Sequence, residues 1–130
     1  MTQGIPMNAE EIYQQAIEAY RSGRYAEAEA LCGVILQSQP DNFDALHLSS
    51  ICRSEQKDFT QALKLLKHAL AGNPRAANAN NSLGNLYEDL GRPDYSLVSY
   101  TAAVTLKPDF AAAWFNRGNV FQKSAVPLFM

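Results

Sequence analysis

The stretch Leu83-Gly84-Asn85-Leu86-Tyr87-Glu88-Asp89-Leu90-Gly91-Arg92-Pro93-Asp94-Tyr95-Ser96 decides the fold, because its landmarks recur at one spacing along the chain. Lys57 stands 34 residues before Gly91, and Gly23 stands 34 before Lys57. Ser96 aligns in the same way with Ala62 and Ala28. Gly84 aligns with Ser50 and Ala16 upstream and with Gly118 downstream. Tyr100 aligns with Leu66 and Cys32, and Pro108 with Pro74 and Pro40. A fixed period of this length marks stacked supersecondary units that share one core.

Each column has a physical reason. Ala28, Ala62 and Ser96 mark close helix crossings, where a larger side chain would force the helices apart. Ala16, Ser50, Gly84 and Gly118 let the first helix of each pair approach its neighbour. Gly23, Lys57 and Gly91 end that helix in a left-handed residue. The prolines end the second helix. Cys32, Leu66 and Tyr100 are expected to fill the space between successive hairpins. Helices are predicted over 9–22, 25–38, 43–56, 59–72, 77–90, 94–106 and 111–123. Asn8 with Glu11 makes a capping box for the first. Asp41 and Asn42 can cap the third, and Asp109 suits the positive end of the seventh. Pro93 is acceptable in a first helical turn, where its missing N–H costs nothing.

The pattern Leu83-Gly84-x-x-Tyr87 with Gly91, Ser96, Tyr100 and Pro108 resembles the tetratricopeptide repeat. So do Asp58-Phe59-Thr60-Gln61-Ala62 with Leu66, Ala69 and Pro74, and Gly23-Arg24-Tyr25-Ala26-Glu27-Ala28 with Cys32 and Pro40. Trp114, Gly118 and Phe121 resemble the opening helix of a fourth repeat. The resemblance implies an all-α superhelical solenoid of about 3.5 helix-turn-helix repeats. These would be repeats 9–42, 43–76 and 77–110 and a half repeat 111–123, between a tail at 1–8 and an apolar tail at 124–130. Three residues depart from the pattern. Arg53 replaces the usual aromatic, Pro93 sits where Tyr25 and Phe59 sit, and Gln15 replaces a leucine, as terminal repeats often allow.

The resemblance further implies a module that binds a protein or extended peptide in a concave groove lined by the first helices. Candidate lining residues are Tyr13, Ile17, His47, Asn78, Asn81, Asn85, Glu88, Asn116 and Asn119. Asn81 and Asn85 lie one helical turn apart, as do Asn116 and Asn119. A side-chain amide both donates and accepts, so a ladder of amides can pair with any peptide backbone. The repeats of O-linked N-acetylglucosamine transferase-like proteins use such ladders, and the segments Asn81 to Gln122 and Tyr20 to Ser50 are similar to them. The alternative is that these asparagines are ordinary surface and packing residues. Other tetratricopeptide domains clamp a C-terminal carboxylate with cations. Here the corresponding sites hold Tyr13, Ile17, Leu48, Asn78 and Ser82, so no such clamp is expected.

Nothing in the sequence forms a catalytic set. There is no Gly-rich phosphate loop, no His-Glu-x-x-His and no Gly-x-Ser-x-Gly, so the expectation is a non-enzyme without cofactor. His47 and His68, taken with Cys32 and Cys52, lack metal-ligand spacing, and the cysteines read as buried free thiols. Glu10-Glu11 and Glu88-Asp89 are neighbours that point about 100° apart on a helix, and they read as solvated faces. Asn80-Asn81-Ser82 has the form of a glycosylation acceptor but falls inside a helix. A net charge of −2 argues against nucleic acid as the partner. No apolar run is long enough for a membrane span, and no leader is visible, so a cytoplasmic location is expected. The apolar ending Val126-Pro127-Leu128-Phe129-Met130 leaves three readings. The chain belongs to a longer repeat protein, the tail folds over the last helix, or this end self-associates. Three functions follow: a freestanding interaction module or scaffold, the non-catalytic N-terminal part of a larger glycosyltransferase, and a self-assembling adaptor that rests only on the apolar ends.

Overall fold

The computed structural model describes residues 7–124. They form seven α-helices: α1 Ala9–Arg21, α2 Tyr25–Ser38, α3 Phe43–Glu55, α4 Phe59–Gly72, α5 Ala77–Asp89, α6 Pro93–Leu106 and α7 Ala111–Ser124. The expected tails at 1–8 and 124–130 fall almost wholly outside the described residues. Asn8, assigned to the first of them, is the N-cap of α1. Two compact units divide between Ala69 and Leu70.

In the first unit α1 packs on α2 and α2 on α3, and α1 also touches α3. Its core joins Ala16, Ala19, Ala28, Cys32, Ile35, Ala45, Leu48 and Cys52. The small residues are what let the helices close on one another, since Ala16, Ala28 and Ala62 are fully buried. In the second unit α5 packs on α6 and α6 on α7, with α5 also touching α7. Ser96, Tyr100, Ala103 and Ala113 are fully buried there.

Helix ends follow the column logic. Gly23, Lys57 and Gly91 have φ of 78°, 68° and 72°. The next residue's N–H closes each helix: Arg24 donates to the Ala19 carbonyl, Asp58 to Arg53 and Arg92 to Tyr87. This is the Schellman ending, which satisfies the last carbonyls of a helix. It stops α1, α3 and α5 one residue short of the expected ends. Asn8 and Glu11 form the reciprocal capping box at 2.8 and 3.1 Å. Pro93 opens α6, one residue ahead of the expected start.

Three expectations are corrected. Asn42 alone caps α3, accepting from the Ala45 N–H at 2.9 Å, while Asp41 pairs with His68 at 2.7 Å. The Tyr100 ring fills space within its own hairpin, directly over Gly84. Glu88 is not a solvated face: its side chain is 24% exposed and bonded across helices to Tyr100 and Lys123. Arg53, which replaces the usual aromatic, instead bridges Glu29 on α2 and Asp58, the latter at 3.1 Å.

Candidate binding site

Asn81, Asn85 and Glu88 fall on one face of α5, since residues four and then three apart share a helical face. In the second unit α7 brings Asn116 to that face. Its Nδ2 donates to Asn81 Oδ1 at 3.2 Å and to Asn85 Oδ1 at 3.4 Å. From α6 the Tyr100 hydroxyl donates to Asn85 Oδ1 at 2.6 Å and contacts the Glu88 carboxylate. Lys123 Nζ lies 3.5 Å from the other Glu88 oxygen. Beside these groups is a cleft of about 340 Å³ lined by Glu88, Asp89, Pro93, Val120 and Lys123. Burial pushes the Tyr100 phenol above its ordinary pKa and the Glu88 carboxylate pushes it further, so the hydroxyl keeps its proton.

The structure therefore joins three of the expected amides, and Glu88 through Tyr100. It places Asn119 elsewhere, in a recess with Phe115, Gly118, Phe121 and Gln122. Asn78 is exposed near the start of α5. Asn80 next to the site is buried, and its amide donates to the Pro74 and Ala76 carbonyls at 3.2 and 3.0 Å. That burial removes it as a glycosylation acceptor.

Tyr13 and His47 belong to the first unit. Tyr13 lines a recess of about 400 Å³ with Ala9, Glu10, Gln14, Ile35, Asn42 and Asp44. Burial raises its phenol pKa, and Asp44 adds to the effect. His47 packs its ring 5.7 Å from that of Phe43, and burial lowers its pKa despite the opposing pull of Asp44.

Sequence reasoning missed Tyr100 and Lys123. Tyr100 shares a column with Cys32 and Leu66, and its hydroxyl was the available signal, because a buried phenol needs a partner. Among the described residues no group of three or more His, Cys, Asp or Glu side chains could hold a metal ion. No described helix is long and apolar enough to cross a membrane. The joined groups are hydrogen-bonding groups of both polarities, chemistry suited to holding a polypeptide.

The pattern described as "Tetratricopeptide repeat" matches residues 53–97. Within that stretch the chain carries a tetratricopeptide repeat. It is 32% identical over 89 residues to the UDP-N-acetylglucosamine–peptide N-acetylglucosaminyltransferase of Caenorhabditis elegans, a match that covers 68% of this chain and 8% of that protein. A mutant O-GlcNAc transferase of Thermobaculum terrenum superposes with a TM-score of 0.88 at 31% identity, covering 97% of this chain and 24% of that one. The first tetratricopeptide domain of Spaghetti (RPAP3), bound to the HSP90 peptide SRMEEVD, superposes with a TM-score of 0.84 over 90% of this chain and 93% of that one. At 19% identity that likeness concerns the fold alone. The repeats thus span a small part of the length of the transferases they match.

Proposed function

We propose that these repeats form a non-catalytic module that holds an extended polypeptide segment, with the linked amides of Asn81, Asn85 and Asn116 contacting its backbone. The observation that carries this reading is the bridge from Asn116 to both Asn81 and Asn85, 35 and 31 residues away in sequence. Amides held at a fixed spacing address groups that every peptide has, so sequence demand is low. A cytoplasmic location is part of the same proposal, tested by cell fractionation. Reduced, carboxymethylated α-lactalbumin, a permanently unfolded polypeptide, is the probe. Isothermal titration should detect binding that Asn81→Ala, Asn85→Ala and Asn116→Ala each weaken severalfold, at about 1 kcal/mol per lost hydrogen bond. Equal affinity of all three variants and the parent would overturn the proposal.

A second reading is that the repeats serve a larger glycosyltransferase as its polypeptide-binding part. It is favoured by identities of 31–32% to two N-acetylglucosamine transferases. Reading the gene on both sides of this segment tests it, the expected finding being further repeats and a nucleotide-sugar domain in the same frame.

A further inference from the structure

Tyr100 sits on α6, is fully buried, and lays its ring over Gly84 of α5. Its hydroxyl emerges on the far side of that contact, at the amide site. The one phenolic proton lies between two acceptors, Asn85 Oδ1 at 2.6 Å and the Glu88 carboxylate. Asn116 Nδ2 reaches the same Asn85 oxygen at 3.4 Å. The carbonyl end of Asn85 is thus engaged by two donors, and an amide gripped by its oxygen presents its NH₂ end in another direction. Asn81 is held in the same sense, its oxygen accepting from Asn116 at 3.2 Å. Cys32 and Leu66, in the same column, carry no hydroxyl, so only the third repeat can use this device.

We propose that Tyr100 is a positioning residue of the binding site: its buried hydroxyl fixes the Asn85 amide so that its N–H groups are offered to backbone carbonyls of a bound polypeptide. This rests on the amide reading of the site. The site is then a hydrogen-bond donor on its α5 side, and it reads the carbonyl rather than the N–H of its ligand. Tyr100→Phe removes the hydroxyl and keeps the ring over Gly84, so the packing survives while the amide is released.

The test compares Tyr100→Phe, Asn85→Ala and the parent in titration with reduced, carboxymethylated α-lactalbumin, alongside NMR spectra of side-chain amides. Tyr100→Phe is expected to keep its helical circular dichroism, to shift the Asn85 side-chain NH₂ signals, and to bind about three- to tenfold more weakly. Unchanged affinity in Tyr100→Phe, with loss in Asn85→Ala, overturns the positioning role and leaves the amide site standing. Unchanged affinity in both variants overturns the amide site and the role together. Should Tyr100→Phe fail to fold, the parent decides. A slowly exchanging Tyr100 hydroxyl proton with a nuclear Overhauser contact to Asn85 supports the role, and a freely exchanging one overturns it.

Discussion

Gly84 and Gly118 share a column and live in different surroundings. A Cβ on Gly84 would stand 2.4, 2.5 and 2.8 Å from ring carbons of Tyr100, while one on Gly118 meets nothing within 4 Å. Tyr100 is pinned at its hydroxyl and cannot swing away, so Gly84→Ala should cost about 1–3 kcal/mol. Gly118→Ala should be neutral or stabilise by about 0.5–1 kcal/mol, because alanine loses less freedom in a helix. Urea titration followed by Trp114 fluorescence checks both, and similar midpoints for the two variants would refute this account of the column. His47 carries a different prediction. Burial lowers its pKa below the ordinary 6.5, so the unfolded chain binds a proton more readily than the folded one. Its contribution to stability is therefore lost as pH falls through the unfolded value toward the folded one. The parent should lose more stability between about pH 7.5 and about pH 5 than His47→Gln does, and equal losses in paired urea titrations would contradict the assignment.

At the scale of the helix, the sequence was readable because each end has its own chemistry. The capping box at Asn8, the left-handed closings at Gly23, Lys57 and Gly91, and Pro93 in a first turn all depend on near neighbours in the chain. Lys57 is the costly member of its set, a side-chain-bearing residue at φ 68° where two glycines do the same work. Lys57→Gly should raise stability by about 0.5–1 kcal/mol, the relief of left-handed strain set against the greater freedom of unfolded glycine. A lower melting temperature in calorimetry would contradict this. What depends on helices meeting was harder to read. Asn81 and Asn85 were found from one-turn spacing, and Asn116 joins them. Asn119 has the same sequence signal but is turned some 60° further around α7, since three residues rotate about 300°, and it lies by Phe115 and Phe121 instead. Bulk alone put Tyr100 between hairpins, whereas its ring lies over Gly84 within its own, and the reach of its hydroxyl is set by the crossing of α5 and α6 and leaves no mark in spacing.

For the molecule as a whole, the fold class was written in a 34-residue period, whereas the ligand was not, because one scaffold serves many partners. The positions that would form a carboxylate clamp hold Tyr13, Ile17, Leu48, Asn78 and Ser82, none of them cationic. Peptides ending in Glu-Glu-Val-Asp should therefore show no submillimolar binding in calorimetry, in contrast to the SRMEEVD peptide carried by the RPAP3 domain of similar fold. Both cysteines lie in the first unit, fully buried, with the Cys52 thiol pushed up to about 12 by burial. Alkylation needs an accessible thiolate, so iodoacetamide at neutral pH should modify neither residue until that unit opens, and labelling faster than any opening would show the burial to be wrong. Nature has thereby furnished this half of the chain with a chemical stopwatch, and mass spectrometry of the alkylated protein could time its breathing without a single engineered probe.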